Sequence, residues 1–257
     1  MRTLVLLSLL LLKSNFSIAQ EFKIDVSYNY LYSKQWDKAI QTYNFSRPFI
    51  AEKQPLLIHG LNSSLSYIFK STKNLNHGIN VSYSYFRSSA ENENLENILK
   101  LHFLNLGYVL HYERKEKLKG VYTDLIISAK SSGLFRTING APFAYDETTS
   151  KAFGIGGDIC LKTGYYLKLK NKFCLSPFIL IAYTPYLYSP NSEAVLNETK
   201  GLTSKNWTGI LTTQIGLTFH IRQNDWPNKA STKNTIAIVE FCAPQTIFGY
   251  RKFCSPY

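Results

Sequence analysis

The groups in this chain able to carry chemistry are five histidines, four cysteines and a few charged residues set among alternating apolar ones. The histidines are His59, His77, His102, His111 and His220. Acyl-chain hydrolysis or transfer would need one of them beside a serine and an acid, so that the imidazole takes the hydroxyl proton while the acid orients the ring. His59 has Ser63 four residues on, on the same face of an alternating segment. His102 is the other candidate centre of such an enzyme. A metal centre would need closely spaced ligands, and there is neither a CxxC pair nor a paired-histidine spacing. Phosphate-cradling and dinucleotide fingerprints are also missing. The expectation is a non-enzyme, with no catalytic, cofactor-binding or metal-binding residue and no cofactor.

The cysteines are Cys160, Cys174, Cys242 and Cys254, an even number that suits an exported, disulfide-permissive chain. If Lys168 opposes Phe173 across a hairpin, Cys160 opposes Ile181. Cys160 and Cys174 are then several residues apart at about 3.3 Å each. That is well beyond the Cα separation of under about 7 Å that a disulfide needs. Cys242 and Cys254 are therefore the candidate bridge, with a bond from Cys174 to the same C-terminal stretch as the alternative.

The charged set is Lys23, Asp25, Asp124, Lys130, Asp158 and Lys162. Each falls on the polar phase of an alternating segment. In a small closed barrel these side chains share an interior just wide enough to be filled. The expectation is an internal network of salt bridges and hydrogen bonds, with a proton or ion path as the minor alternative.

The elements that position these residues are strands. Apolar and polar residues alternate in eight segments, near 22–33, 56–70, 78–88, 98–113, 119–131, 152–168, 173–188 and 207–221. The first sets Phe22, Ile24, Val26, Tyr28, Tyr30 and Tyr32 against Lys23, Asp25, Ser27 and Asn29. Several segments reach the roughly 9–11 residues that a tilted strand needs to cross a bilayer. Gly154, Gly156 and Gly157 sit inside one of them, where they relieve crowding or mark a bulge.

Connections alternate in length. Short turns fall at Ser71–Asn76, Arg114–Lys117 and Leu169–Lys172, and long loops at Lys34–Pro55, Ser89–Asn97, Ser132–Lys151 and Ser189–Asn206. A transmembrane barrel with short periplasmic turns and long external loops has this pattern. The turns are rich in lysine and arginine, whereas many of the acids lie in the long loops. Tyr28, Tyr30, Tyr32, Tyr83, Tyr85, Tyr183, Tyr186 and Tyr188 would form an outer aromatic girdle. Phe69, Tyr108, Tyr112, Tyr165 and Phe219 would form an inner one.

The N-terminus carries Arg2, an apolar run from Leu4 to Leu12 and the small-residue pattern Ser17-Ile18-Ala19, so residues 1–19 are expected to be a signal peptide. Residues 20–221 are the expected barrel. Residues 222–257 form a tail, read as periplasmic rather than as a ninth strand, since an odd strand would break the even count.

The signal ending in Ser-Ile-Ala-Gln, the alternating aromatic strands and the stretch Trp36-Asp37-Lys38 through Tyr43-Asn44-Phe45-Ser46-Arg47-Pro48-Phe49 resemble small outer-membrane barrel proteins of Bacteroidota. The general architecture is similar to OmpX-type eight-stranded barrels. The resemblance covers about residues 20–221. It implies a fold and an outer-membrane location, and it brings no catalytic residues.

The fold class expected is all-β: an antiparallel, up-and-down transmembrane β-barrel of about eight strands with a C-terminal periplasmic tail. Its function is expected to be structural, or that of a partner subunit in an envelope complex. The alternatives are a lipid-modifying barrel enzyme and a soluble secreted β-sandwich. Expected partners are outer-membrane lipid, lipopolysaccharide and other envelope proteins. Nucleic acid is excluded despite the formal charge of +12, because the bases sit in tight turns rather than on one continuous face.

Overall fold

The computed structural model describes residues 19–48, 52–69, 74–92, 95–113, 120–139, 148–170, 173–197 and 207–222. The expected signal peptide, apart from Ala19, and the expected tail, apart from Arg222, lie outside these residues, and Cys242 and Cys254 with them.

The strands are β1 (Ala19–Tyr32), β2 (His59–Phe69), β3 (Leu75–Asn92), β4 (Leu95–Glu113), β5 (Val121–Asn139), β6 (Thr148–Tyr165), β7 (Leu167–Lys170), β8 (Phe173–Tyr188) and β9 (Trp207–Arg222). Two helices are described, α1 (Lys34–Ser46) and α2 (Ser192–Asn197). Neighbouring strands pair antiparallel in chain order, and β9 pairs with β1 to close the sheet. The segments β6 and β7, separated by Tyr166, both pair with β8 and form one stave. The described residues therefore make an eight-stave, closed, antiparallel barrel, as the alternation predicts.

The pleat sorts the side chains inside out. Along β1, Lys23, Asp25, Ser27 and Asn29 are buried, whereas Ile24, Val26, Tyr28, Tyr30 and Tyr32 point outward. Lys23 is 0 % exposed and Val26 54 %. Because successive side chains alternate across the sheet, one choice of phase for each strand sets the whole wall. The result is an apolar outer surface around a mostly polar interior, which also holds an apolar cluster that includes Ile68, Val109, Ile126, Phe178 and Leu180. Among the described residues, the β1–β9 and β6–β8 ladders close the sheet, as a wall in hydrocarbon requires, since lipid offers no hydrogen bonds to unpaired backbone.

Closure leaves little room at the seam. A Cβ added at Gly216 on β9 would lie 2.5 Å from the Cβ of Ser27 and collide with the carbonyl oxygen of Val26. Only glycine lets β9 approach β1 this closely at that point. Gly216→Val is expected to cost about 1–3 kcal/mol by overpacking and to lower the fraction of refolded chain that migrates as a compact barrel before heating. Gly156 has a similar role against the carbonyl oxygen of Tyr186, 2.7 Å from its would-be Cβ. The β6–β8 register shifts between Gly156 and Ile159, so the glycine-rich stretch marks an irregularity in the ladder.

The expected pattern of long loops is corrected in two places. The ladder between β3 and β4 runs on through the expected 89–97 loop as far as Asn92 opposite Leu95, so that connection is a hairpin extension. Likewise β5 runs on to Asn139 and β6 starts at Thr148. These extensions have something to pack on: Phe86, Ala90, Leu99, Leu101, Leu134 and Ala152 are buried near the barrel mouth. The other two long connections contain the helices.

The expected register at the cysteines is off by one residue. Lys168 opposes Cys174, and Cys160 opposes Ala182 rather than Ile181. The ladder also has an irregularity between Lys168 and Lys170, where Lys170 opposes Phe173. The conclusion drawn from the register is unchanged. Cys160 lies opposite a residue eight positions from Cys174 on β8, roughly 26 Å along the strand, so the two thiols do not meet.

Candidate functional site: a filled lumen under a helical cap

All six charges expected inside the barrel face the lumen, and they form three ion pairs of opposite sign. Lys23 Nζ is 3.0 Å from Asp124 Oδ2, Lys162 Nζ is 2.7 Å from Asp25 Oδ1, and Lys130 Nζ is 2.8 Å from Asp158 Oδ1. The first two join strands that are not neighbours in the sheet, β1 to β5 and β6 to β1, so they tie the wall across its interior. The third joins the adjacent strands β5 and β6. A buried charge needs both a counter-ion and hydrogen bonds to offset lost hydration. Ser64 and Thr218 donate to Asp25 at 2.5 and 2.6 Å, and Thr184 donates to Asp158 at 2.5 Å.

Alternation alone does not reveal the groups that complete the network at the short-turn end. His111 lies 2.5 Å from Asp124 and 2.9 Å from Lys23 Nζ. Tyr166 contacts the other nitrogen of His111 at 3.4 Å. His220 pairs with Glu21. Tyr122 lies beneath Lys23, whose Nζ is 4.6 Å from the ring centre, and its hydroxyl meets Thr218 at 3.2 Å. The inward phase of His111 and His220 is the signal the sequence offers. Most of their partners come from segments distant in the chain.

Between the central pairs a cavity of about 30 Å³ remains, lined mostly by polar side chains such as Asn62, Ser82, Asn105 and Gln214. That is room for a water or two. The barrel interior is filled by side chains.

The opposite end is closed by helices. Trp36, Ala39, Ile40 and Tyr43 of α1 are buried at the spacing of one helical face. Trp36, Ala39 and Ile40 join Leu31, Leu57, Phe86, Leu99 and Leu101 in an apolar core at the mouth. Trp36 stacks parallel to Phe103 with ring centres 6.4 Å apart, directly above the charged layer: Lys130 Nζ is 4.6 Å from the same Phe103 ring. Returning from α1, the chain is fastened by reciprocal bonds between Asn44 and the backbone of Gln54, at 2.9 and 2.8 Å.

Arg136 at the extended end of β5 fastens both helices. Its Nη1 donates to the carbonyls of Val195 and Leu196 at 3.1 and 3.0 Å, near the end of α2 where backbone acceptors lack helical partners. Its Nε donates to Asn97 at 3.0 Å, and Asn97 donates to the Tyr43 hydroxyl at 3.0 Å. The guanidinium also lies 4.0 Å from the Tyr43 ring centre. Arg136→Lys keeps the charge but cannot reproduce this fork. It is expected to cost about 1–3 kcal/mol of cap stability, read as faster proteolysis near α2.

The two candidate enzyme centres lie on the outer face. Tyr28 Oη is 2.6 Å from His59 Nδ1, and Tyr83 Oη is 2.6 Å from His102 Nδ1. His77 and Tyr108 form a third such pair. Tyr32, Tyr183, Tyr186 and Trp207 are exposed at the capped end, and Tyr108, Tyr112, Tyr165, Phe173 and Phe219 toward the short-turn end. Two bands of amphipathic rings on an apolar wall are what a bilayer's two interfaces select.

No protein-family model matches the chain, and neither does any curated protein sequence. Among solved structures, the chain is similar to Neisserial surface protein A, at 9% identity, TM-score 0.39, covering 79% of this chain and 96% of that one. It is also similar to Ail, the attachment invasion locus protein of Yersinia pestis, at 10% identity, TM-score 0.38, covering 79% and 99%. A major outer membrane protein from Thermus thermophilus is similar at 9% identity, TM-score 0.42, covering 78% and 99%.

Proposed function

We propose that this chain is a non-enzymatic outer-membrane barrel, serving as a structural element or partner subunit of the envelope. The observation that carries the reading is a wall that is apolar outside and polar inside, around a lumen filled by paired charges and covered by α1 and α2. Such an arrangement suits anchoring and presentation of an outer surface better than transport. His59 and His102 bind tyrosine hydroxyls on the outer face, which favours an interfacial role for them. The short turns face the periplasm and the helical cap faces outward, following the chain sense in which β1 rises from the short-turn end.

The test is gel migration of the protein from washed outer membranes, with and without boiling. A closed detergent-resistant barrel runs faster unboiled. Equal migration, with the protein recovered in the soluble fraction, would overturn the membrane reading and leave a soluble exported barrel in its place.

A further inference from the structure

The outer wall is not uniformly covered. Outward positions on β5 fall from Ile127 to Ala129, Ser131 and Gly133 before rising again at Phe135. The strands on either side carry large outward residues, Leu104 and Leu106 on β4 and Phe153 and Ile155 on β6, with Ile155 67 % exposed. The result is a furrow running along the strands. Two recesses of about 610 and 720 Å³ share Leu104, Ser131 and Ile155, so they form one continuous groove. Each lies within the roughly 300–1,000 Å³ typical of ligand sites. The Ser131 hydroxyl on its floor is turned to the wall, Oγ meeting the Leu104 carbonyl at 3.5 Å.

The groove has a polar head. Its upper end is bounded by the rings of His102, Phe135 and Phe153, with successive centres 5.4 and 5.8 Å apart. The ladder row through Phe135 reads Arg87, Lys100, Phe135, Lys151 across β3 to β6. All four occupy outward positions. This places three cations over about 14 Å of wall, given strand spacings near 4.8 Å. Arg87 is 52 % exposed and makes one loose contact, 3.7 Å to Glu96, which solvent screens. An apolar furrow below a row of bases, at the level where the outward tyrosines begin, matches an acyl chain below an anionic headgroup. Arginine and lysine are the usual phosphate partners.

We propose that the outer face of β4–β6 is a specific seat for a phosphorylated, acylated glycolipid of the outer leaflet, with an acyl chain in the furrow over Ser131 and phosphate on Arg87, Lys100 and Lys151. The inference rests on the outer-membrane reading above and names the lipid class that the wall selects.

The experiment is native mass spectrometry of the full-length barrel, refolded in nonionic detergent, with lipid A added in its phosphorylated and dephosphorylated forms. Retention of one phosphorylated lipid per barrel is expected, with weaker retention of the dephosphorylated form. Lys100→Glu with Lys151→Glu should lower retention of the phosphorylated form by about tenfold or more, since it replaces two phosphate-attracting charges with repelling ones. Ser131→Leu or Ala129→Leu, which fill the furrow from the lipid side, should lower retention of both forms. Excess inorganic phosphate should not displace the lipid. Heat-modifiable migration of every variant separates the two readings, because a variant that keeps its shift is a folded barrel. Equal retention by folded wild type and variants, or displacement by inorganic phosphate alone, would overturn the lipid seat while leaving the barrel intact.

Discussion

Asp124→Ala is expected to lower the stability of the folded barrel by about 3–5 kcal/mol, because it leaves a buried cation without its counter-ion. Lys23 is wholly buried, and Asp124 is the carboxylate it meets, through both oxygens at 3.0 and 3.1 Å. His111 would lose the same partner. Urea unfolding in detergent micelles or lipid vesicles, followed by loss of the fast-migrating band, reads the change as a fall in midpoint. The companion experiment separates pairing from packing. Lys23→Met combined with Asp124→Leu removes both charges at similar volume and should regain most of the loss. A double variant as unstable as the single one would show that the pair contributes more than mutual neutralisation. Glu96→Ala is the contrast: its contact with Arg87 is exposed, and its loss should change stability by under about 0.5 kcal/mol.

Trp36→Ala is expected to be as costly, about 3–5 kcal/mol, but with its effect confined to the cap. The indole is 1 % exposed, stacks on Phe103 and fills the mouth between α1 and the strand extensions. Its removal leaves a large void beneath the helix that it anchors. Limited proteolysis of intact cells or vesicles should cleave the 34–55 connection much faster in the variant. The heat-modifiable shift should persist, since the strand ladders and lumen pairs are untouched. Simultaneous loss of the shift would mean that the cap and wall form a single cooperative unit. Electrical recordings in planar bilayers should show no channel in either protein, because the charged layer beneath Trp36 still fills the lumen.

The barrel is legible in the sequence because its physics is local. A pleated strand sends successive side chains to opposite faces, so the phase of Phe22 to Tyr32 against Lys23 to Asn29 already assigns an outside and an inside. The same phase places Lys23, Asp25, Asp124, Lys130, Asp158 and Lys162 in one compartment. Which lysine meets which aspartate is not legible, because Lys23 and Asp124 lie 101 residues apart and Lys162 and Asp25 137. Their pairing depends on the stagger and closure of the whole sheet, as does the recruitment of His111 and His220.

The cap escapes a sequence reading for a different reason. Trp36, Ala39, Ile40 and Tyr43 carry helical spacing, yet they lie in a connection whose length alone suggests a loop. A short amphipathic helix gains little stability by itself and holds its shape through the apolar face it buries. That face exists only once Phe86, Leu99 and Leu101 arrive from distant strands, together with Leu134 from the part of β5 that runs beyond its expected end. Arg136 shows the same dependence: alternation puts it inward, but it is held by groups from α1, α2 and β4. Alternation along a strand is written in nearest neighbours and survives in the chain itself, whereas ion pairing, strand length at the mouth and helix docking are set by contacts between distant segments that form only when the barrel closes.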